Sequence, residues 1–161
     1  MATPWDLLIV STRLENKKEL LRILKDLPVS SFTASNVAQA CEVLAAGHIR
    51  LVFAEENFAD GTYRDLLTFL RISNLKTGLV LMLCSGEWPE YLEGLKRGAV
   101  EVIRCPLQPT DVEMSLIRAA RHEEDELLRM FSDSPDEPKV EPSFDADQAE
   151  SARSLHPHGS R

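Results

Sequence analysis

The sequence predicts an α/β domain, a parallel sheet with helices on both of its faces. Two observations predict it. Short apolar runs alternate with longer amphipathic segments five times over, which is the pattern of a parallel sheet built from strand–helix units. One of the runs, GLVLML (78–83), is apolar at nearly every position, as expected of a strand buried on both faces.

DLLIV (6–10) is the first strand. ENKKELLRILKDL (15–27) places Leu20, Leu21, Leu24 and Leu27 on one face with charges opposite, an amphipathic helix that Pro28 stops. VSSFTAS (29–35) is a strand of weak apolar character, suited to a sheet edge. NVAQACEVLAAG (36–47) reads as a helix with an Asn or Ser cap and a Gly stop. IRLVFA (49–54) is the third strand and TYRDLLTFLRIS (62–73) the third helix. GLVLML is the fourth strand. PEYLEGLKRG (89–98) is a helix with Pro in its first turn and Gly at its end. VEVIRC (100–105) is the fifth strand. TDVEMSLIRAARHEEDELLRMF (110–131) is the last helix; Thr110 and Glu113 have capping-box spacing, and Met114, Ile117, Leu127, Leu128 and Met130 are expected to face the core. Right-handed crossovers restrict the topology, and the flavodoxin-like strand order 2-1-3-4-5, a (βα)5 three-layer sandwich, suits this size.

Residues 1–131 form the expected domain. From Ser132 onward, SDSPDEPKVEPSFDADQAESARSLHPHGSR is rich in Pro, Ser and acids and poor in large apolar residues. Such a segment buries too little surface to offset its ordering entropy, so 132–161 is expected to be a disordered acidic tail. It holds seven acids and three Lys/Arg. The formal charge of −8 is therefore spread over tail and domain alike, and the pI near 5.0 argues against a nucleic-acid footprint. No apolar run approaches the roughly 18 residues of a membrane span, and MATPWDLLIV lacks the basic start of a signal peptide. Three scattered cysteines, Cys41, Cys84 and Cys105, suggest reduced thiols in a cytoplasm and no disulfide framework.

The stretch LVFAEENFADG (51–61) concentrates the functional question. A strand expected to end at Ala54 runs into Glu55, Glu56 and an Asp-Gly turn. In open parallel sheets, ligands bind beyond the carboxyl ends of the strands. A solvated acid is the ordinary expectation for such a position.

LLIV (7–10), LVFAEENFADG (51–61) and LKRGAVEVIRCPL (95–107) together, with the lengths between them, are similar to the bacterial response-regulator receiver domain (CheY-like). The likeness covers roughly residues 5–121. The resemblance implies two-component signalling, with a phosphoacceptor Asp after the third strand, an acidic pair that holds magnesium after the first, a hydroxyl after the fourth, and a Lys before the Pro after the fifth. It also implies an aromatic switch in the fifth strand. Here Glu55 stands at the acceptor position and Ser11 and Thr12 at the acidic pair. Leu83, or Cys84 if one residue is gapped, stands at the hydroxyl, Cys105 at the Lys before Pro106, and Val102 at the aromatic. Two hydroxyls cannot replace two carboxylates around magnesium, and no Lys neutralises a transferred phosphoryl group. We therefore expect no metal, no cofactor and no catalysis, and a pseudo-receiver that acts through protein partners, a histidine kinase or another regulator among them, or through a homodimer. The expected partner face comprises the fourth helix, fifth strand and fifth helix, with Trp88, Arg97, Val102 and Arg118. Two alternatives stand beside it: a receiver still phosphorylated or constitutively active through Glu55, and a thiol-based sensor using Cys84 and Cys105. For the two cysteines the bland expectation is that each is a small buried hydrophobe.

Overall fold

A computed structural model describes residues 5–84 and 88–132. The elements are β1 (Trp5–Val10), α1 (Leu14–Leu24), β2 (Val29–Ala34), α2 (Val37–Ala45), β3 (Leu51–Glu55), β4 (Asn57–Phe58), β5 (Gly61–Thr62), α3 (Tyr63–Ile72), β6 (Gly78–Leu83), α4 (Trp88–Lys96), β7 (Glu101–Arg104) and α5 (Pro109–Ser132). Five strands form one parallel sheet in the order β2-β1-β3-β6-β7. With β6 and β7 as fourth and fifth main strands, this is the expected 2-1-3-4-5 arrangement. β4 and β5 form a small antiparallel hairpin within the stretch read from sequence as a loop.

Alternation along the strands splits the core into two layers. Leu8, Val10, Val52, Ala54, Leu79, Leu81 and Leu83 share a layer with Ala40 and Leu44 of α2 and Leu66 and Leu70 of α3. Leu7, Ile9, Leu51, Phe53, Val80, Met82 and Ile103 share the other with Leu20 and Leu24 of α1 and Val112 and Ala119 of α5. Full burial of such side chains stabilises by about 1.5–3 kcal/mol each, so the sheet is held from both faces. β2 is an edge strand with four consecutive exposed positions.

Local signals explain several boundaries. Asn36 caps α2 by accepting the Gln39 N–H, and Gly47 ends that segment at a φ of 86°. Thr62 and Asp65 form a capping box on α3. Gly94 lets α4 approach the sheet closely: a Cβ there would lie 2.8 Å from Leu81 Cδ2 and 3.2 Å from Val102 Cγ2.

Some expectations need correction. On α1 the buried residues are Leu20, Ile23 and Leu24, while Leu21 is exposed. On α5 the inward positions are Val112, Ser115 and Ala119, and Met114 and Ile117 are 40% and 46% exposed. The inward stripe uses small residues at i, i+3 and i+7, which turns the larger apolar side chains outward. The helix begins at Pro109, so Thr110 lies inside its first turn rather than at the cap. The chain divides into a sheet-bearing unit, Met1–Glu123, and a second unit, Glu124–Arg161. The expected tail lies, from residue 133 onward, outside the described residues, as do the side chains of Leu127, Leu128 and Met130. No described helix is long and apolar enough to cross a membrane.

Candidate site: a caged carboxylate at the strand ends

β3 runs one residue further than its sequence suggested, so Glu55 is its last residue, paired in register with Met82. Glu55 is only 4% exposed, and the expectation of a solvated acid is corrected. Its charge does not need solvent because the loop after β1 supplies donors. Oε1 accepts the Thr12 backbone N–H at 2.8 Å and the Thr12 hydroxyl at 2.9 Å. Oε2 accepts the Ser11 hydroxyl and the Asn16 side-chain amide at 3.1 Å, with the Arg13 N–H more distant at 3.4 Å. Ser11 Oγ has one proton, and the Arg13 carbonyl at 3.0 Å is its other acceptor. Ser11 Oγ in turn accepts the Arg13 N–H at 3.2 Å.

A carboxylate offers about four acceptor positions, and here they are taken. Burial alone would raise the Glu55 carboxyl; the hydrogen bonds from Ser11, Thr12 and Asn16 outweigh it and hold the group below the usual carboxylate value. The side chain is thus an ionised anion solvated by protein donors in place of water. Its lone pairs are occupied, so it is a poor nucleophile and a poor metal ligand. Its oxygens are directed at the β1–α1 loop and the first turn of α1.

Glu56, next in sequence, is half-buried in the wall of a cleft of ≈ 70 Å³ lined also by Thr12, Arg13, Glu55, Asn57, Met82 and Cys84. Burial and the neighbouring Glu90 push its carboxyl up, against the pull of Arg64 and Arg13. Asp60 of the Asp-Gly turn works elsewhere: its two oxygens accept the Val37 and Ala38 N–H groups at 2.8 and 3.0 Å, tying the hairpin to the start of α2. Among the described residues no group of three or more His, Cys, Asp or Glu side chains is gathered to hold a metal ion.

The remaining sequence-derived positions are dispersed. Leu83 packs in the core and takes no part in the cleft. Cys84 lines the cleft and is joined by a disulfide to Cys105, with Cα atoms 4.7 Å apart. The expectation of reduced, separate thiols is corrected. The cysteines come directly after the last residues of β6 and β7, Leu83 and Arg104, which are paired in register, and the Cys105 N–H donates to the Leu83 carbonyl at 3.0 Å. That register sets the two side chains opposite each other. Pro106 is joined to Cys105 through a cis peptide bond. Val102 is buried. Trp88 is 60% exposed and stacks on Tyr91 with ring centroids 5.1 Å apart. Arg97 pairs with Glu93 at 2.7 Å, and Glu93 also binds Arg64 of α3 at 3.0 Å. Arg118 of α5 pairs with Glu101 of β7 at 3.4 Å.

Sequence reasoning missed Asn16. Its amide donates both to Glu55 and, at 3.0 Å, to Cys84 Sγ, and it links the cage to the disulfide. The available signal was a set of donors, Ser11, Thr12 and Asn16, on the loop and first turn that face the end of the third strand.

No protein-family model matches the chain, and no curated protein sequence matches it. Solved structures do. The signal receiver domain of an HD domain-containing protein from Pseudomonas fluorescens Pf-5 superposes with a TM-score of 0.72 at 18% identity, covering 80% of this chain and 96% of that one. The chemotaxis response regulator CheY4 of Vibrio cholerae gives 0.65 at 17% identity, over 73% of this chain and 99% of that one. A co-crystal of the Saccharomyces cerevisiae histidine phosphotransfer signaling protein Ypd1 with the receiver domain of Ssk1 gives 0.61 at 15% identity, over 70% and 86%.

Proposed function

We propose that this chain, which has the fold of response-regulator receiver domains, is a pseudo-receiver of two-component-type signalling, working in the cytoplasm through protein–protein contact that does not depend on phosphorylation. The observation that carries this is the Glu55 cage. In phosphoryl transfer the protein positions the group and neutralises its charge. Here the acceptor position is filled by an anion whose acceptor sites are already satisfied by Ser11, Thr12 and Asn16. The positions that would bring magnesium are hydroxyls, and the position that would bring a cation is half of a disulfide. The cage fixes the β1–α1 loop in one arrangement, so binding elsewhere on the domain is constitutive.

The surface proposed to meet partners is formed by α4, β7 and α5. Trp88, Leu92 and Leu95 on α4 and Met114 and Ile117 on α5 leave large apolar area exposed, with Arg97 and Arg118 among the surrounding charges. An aromatic and apolar centre with a charged rim is the anatomy of a specific interface. The yeast complex of a phosphotransfer protein with a receiver domain makes a phosphotransfer protein, a kinase or another regulator the partner class to test first, with a second copy of the chain as the alternative.

The test is a partner's affinity for the full chain before and after treatment with acetyl phosphate and magnesium, alongside intact mass. Unchanged affinity and no phosphate-sized mass gain are expected. A mass gain that disappears in Glu55→Gln would overturn the proposal.

A further inference from the structure

We propose that Cys84 and Cys105 are a reversible dithiol–disulfide couple whose state sets how firmly the starts of α4 and α5 are held together. The bridge adds nothing to the pairing of β6 with β7, which are already joined by ladder hydrogen bonds. Its effect falls on the segments that leave the two strands. Three residues separate Cys84 from Trp88, the first residue of α4, and three separate Cys105 from Pro109, the first of α5. The covalent link therefore fastens the roots of the two helices that carry Trp88, Leu92, Leu95, Met114 and Ile117.

The couple is reachable and selective. Both half-cystines are partly exposed, and Cys84 lines the open cleft, so a small thiol or disulfide can approach its sulfur. Cys41, the other cysteine, lies on α2 away from them; burial, with Asp60 and Asp65 adding, pushes its thiol up and keeps it protonated and slow to react. In a reducing compartment a disulfide of this kind is a transient, sensing bond rather than a permanent staple.

The exchange balances with a low-molecular-weight disulfide such as oxidised glutathione. The Cys84 thiolate attacks one sulfur of it, forming a mixed disulfide and releasing one thiol. The Cys105 thiolate then attacks Cys84 Sγ, closing the bridge and releasing the second thiol. Two electrons pass from the protein to the small disulfide, and the two protein thiol protons leave on the released thiols. A dithiol reductant runs the sequence backwards.

Asn16 gives the couple a second readout. One of its two amide protons goes to Cys84 Sγ and the other to Glu55 Oε2. A disulfide sulfur has no proton and only accepts weakly, whereas a thiol can also donate, so reduction changes the partner of the same amide that holds the Glu55 cage. The consequence for partners rests on the proposed function; the couple itself does not.

The experiment uses the full chain, treated with oxidised glutathione or with dithiothreitol; one portion is alkylated in denaturant and weighed, and another is followed by amide hydrogen exchange. The oxidised form should take up one alkyl group, on Cys41, and the reduced form three. Exchange at the starts of α4 and α5 should be about tenfold slower when oxidised. Cys84→Ser and Cys105→Ser should exchange like the reduced form under either treatment, whereas Cys41→Ser should still switch. Three alkyl groups after oxidised glutathione, or a bridge that forms without changing exchange, would overturn the inference. A working couple with equal partner affinity in both forms would support it and count against the partner face instead.

Discussion

The mouth of the sheet and the α4–β7–α5 surface differ in what they leave unsatisfied. At the mouth, Glu55 is buried and every acceptor position on it is used by Ser11, Thr12 or Asn16; among the described residues no buried side-chain polar atom lacks a partner. On the surface, Trp88, Leu92, Leu95, Met114 and Ile117 stand in water. The first region uses its polar groups to hold the chain in one shape. The second has apolar area still to bury. In a fold where the strand ends usually carry the chemistry, this contrast supports the proposal that partners meet the helical face and that the pocket is a structural element.

The contrast breaks most sharply at Glu55. Replacing it with Ala removes the acceptor that Ser11, Thr12 and Asn16 share and opens a cavity, at a cost of about 3 kcal/mol, read as a lower denaturant midpoint. Trp88→Ala should do the reverse. Folding stability should stay within about 0.5 kcal/mol, while partner affinity falls by about 2 kcal/mol if Trp88 is an interface anchor. Asn16→Ala removes a single bond to the anion and should cost about 1.5 kcal/mol, again read as a lower denaturant midpoint.

Acidity separates Glu55 from its neighbour. The Glu55 carboxyl is held below its unfolded value of about 4.3. Its contribution is therefore complete above that pH and is lost as the pH falls through the folded value. Unfolding free energy of the wild type should drop more steeply below about pH 4.3 than that of Glu55→Gln. Glu56 has the opposite sign: its carboxyl is pushed up, so its ionised form opposes folding at neutral pH. Glu56→Gln should be neutral or stabilising by about a few tenths of a kcal/mol near neutral pH, the smallest effect and the most specific test of which glutamate is caged.

The sheet was legible in the sequence because alternating apolar runs, Pro28, Gly47, Pro89 and Gly98 punctuate it redundantly. The site was less so. A glutamate after an apolar run reads as solvated because buried acids are rare unless paired. That reading is reversed by a set of donors that meet Glu55 only after β1 and β3 are aligned. Cys84 and Cys105 are 21 residues apart and face each other only through the register of Leu83 with Arg104. Met114 and Ile117 read as core because they are large and apolar. The helix instead packs through Val112, Ser115 and Ala119.

Closure of the pocket to phosphoryl chemistry by the Glu55 cage is the central claim. Amide resonances of residues 11–16, 55–57 and 84 in the full chain, followed while magnesium and then beryllofluoride, a phosphoryl mimic, are added, test it most directly. A closed pocket gives no saturable shift at these positions and none on α4. Saturable shifts at Thr12 and Glu55 that spread to Trp88 would contradict the claim, because the pocket would then bind the ligand and remain coupled to the face.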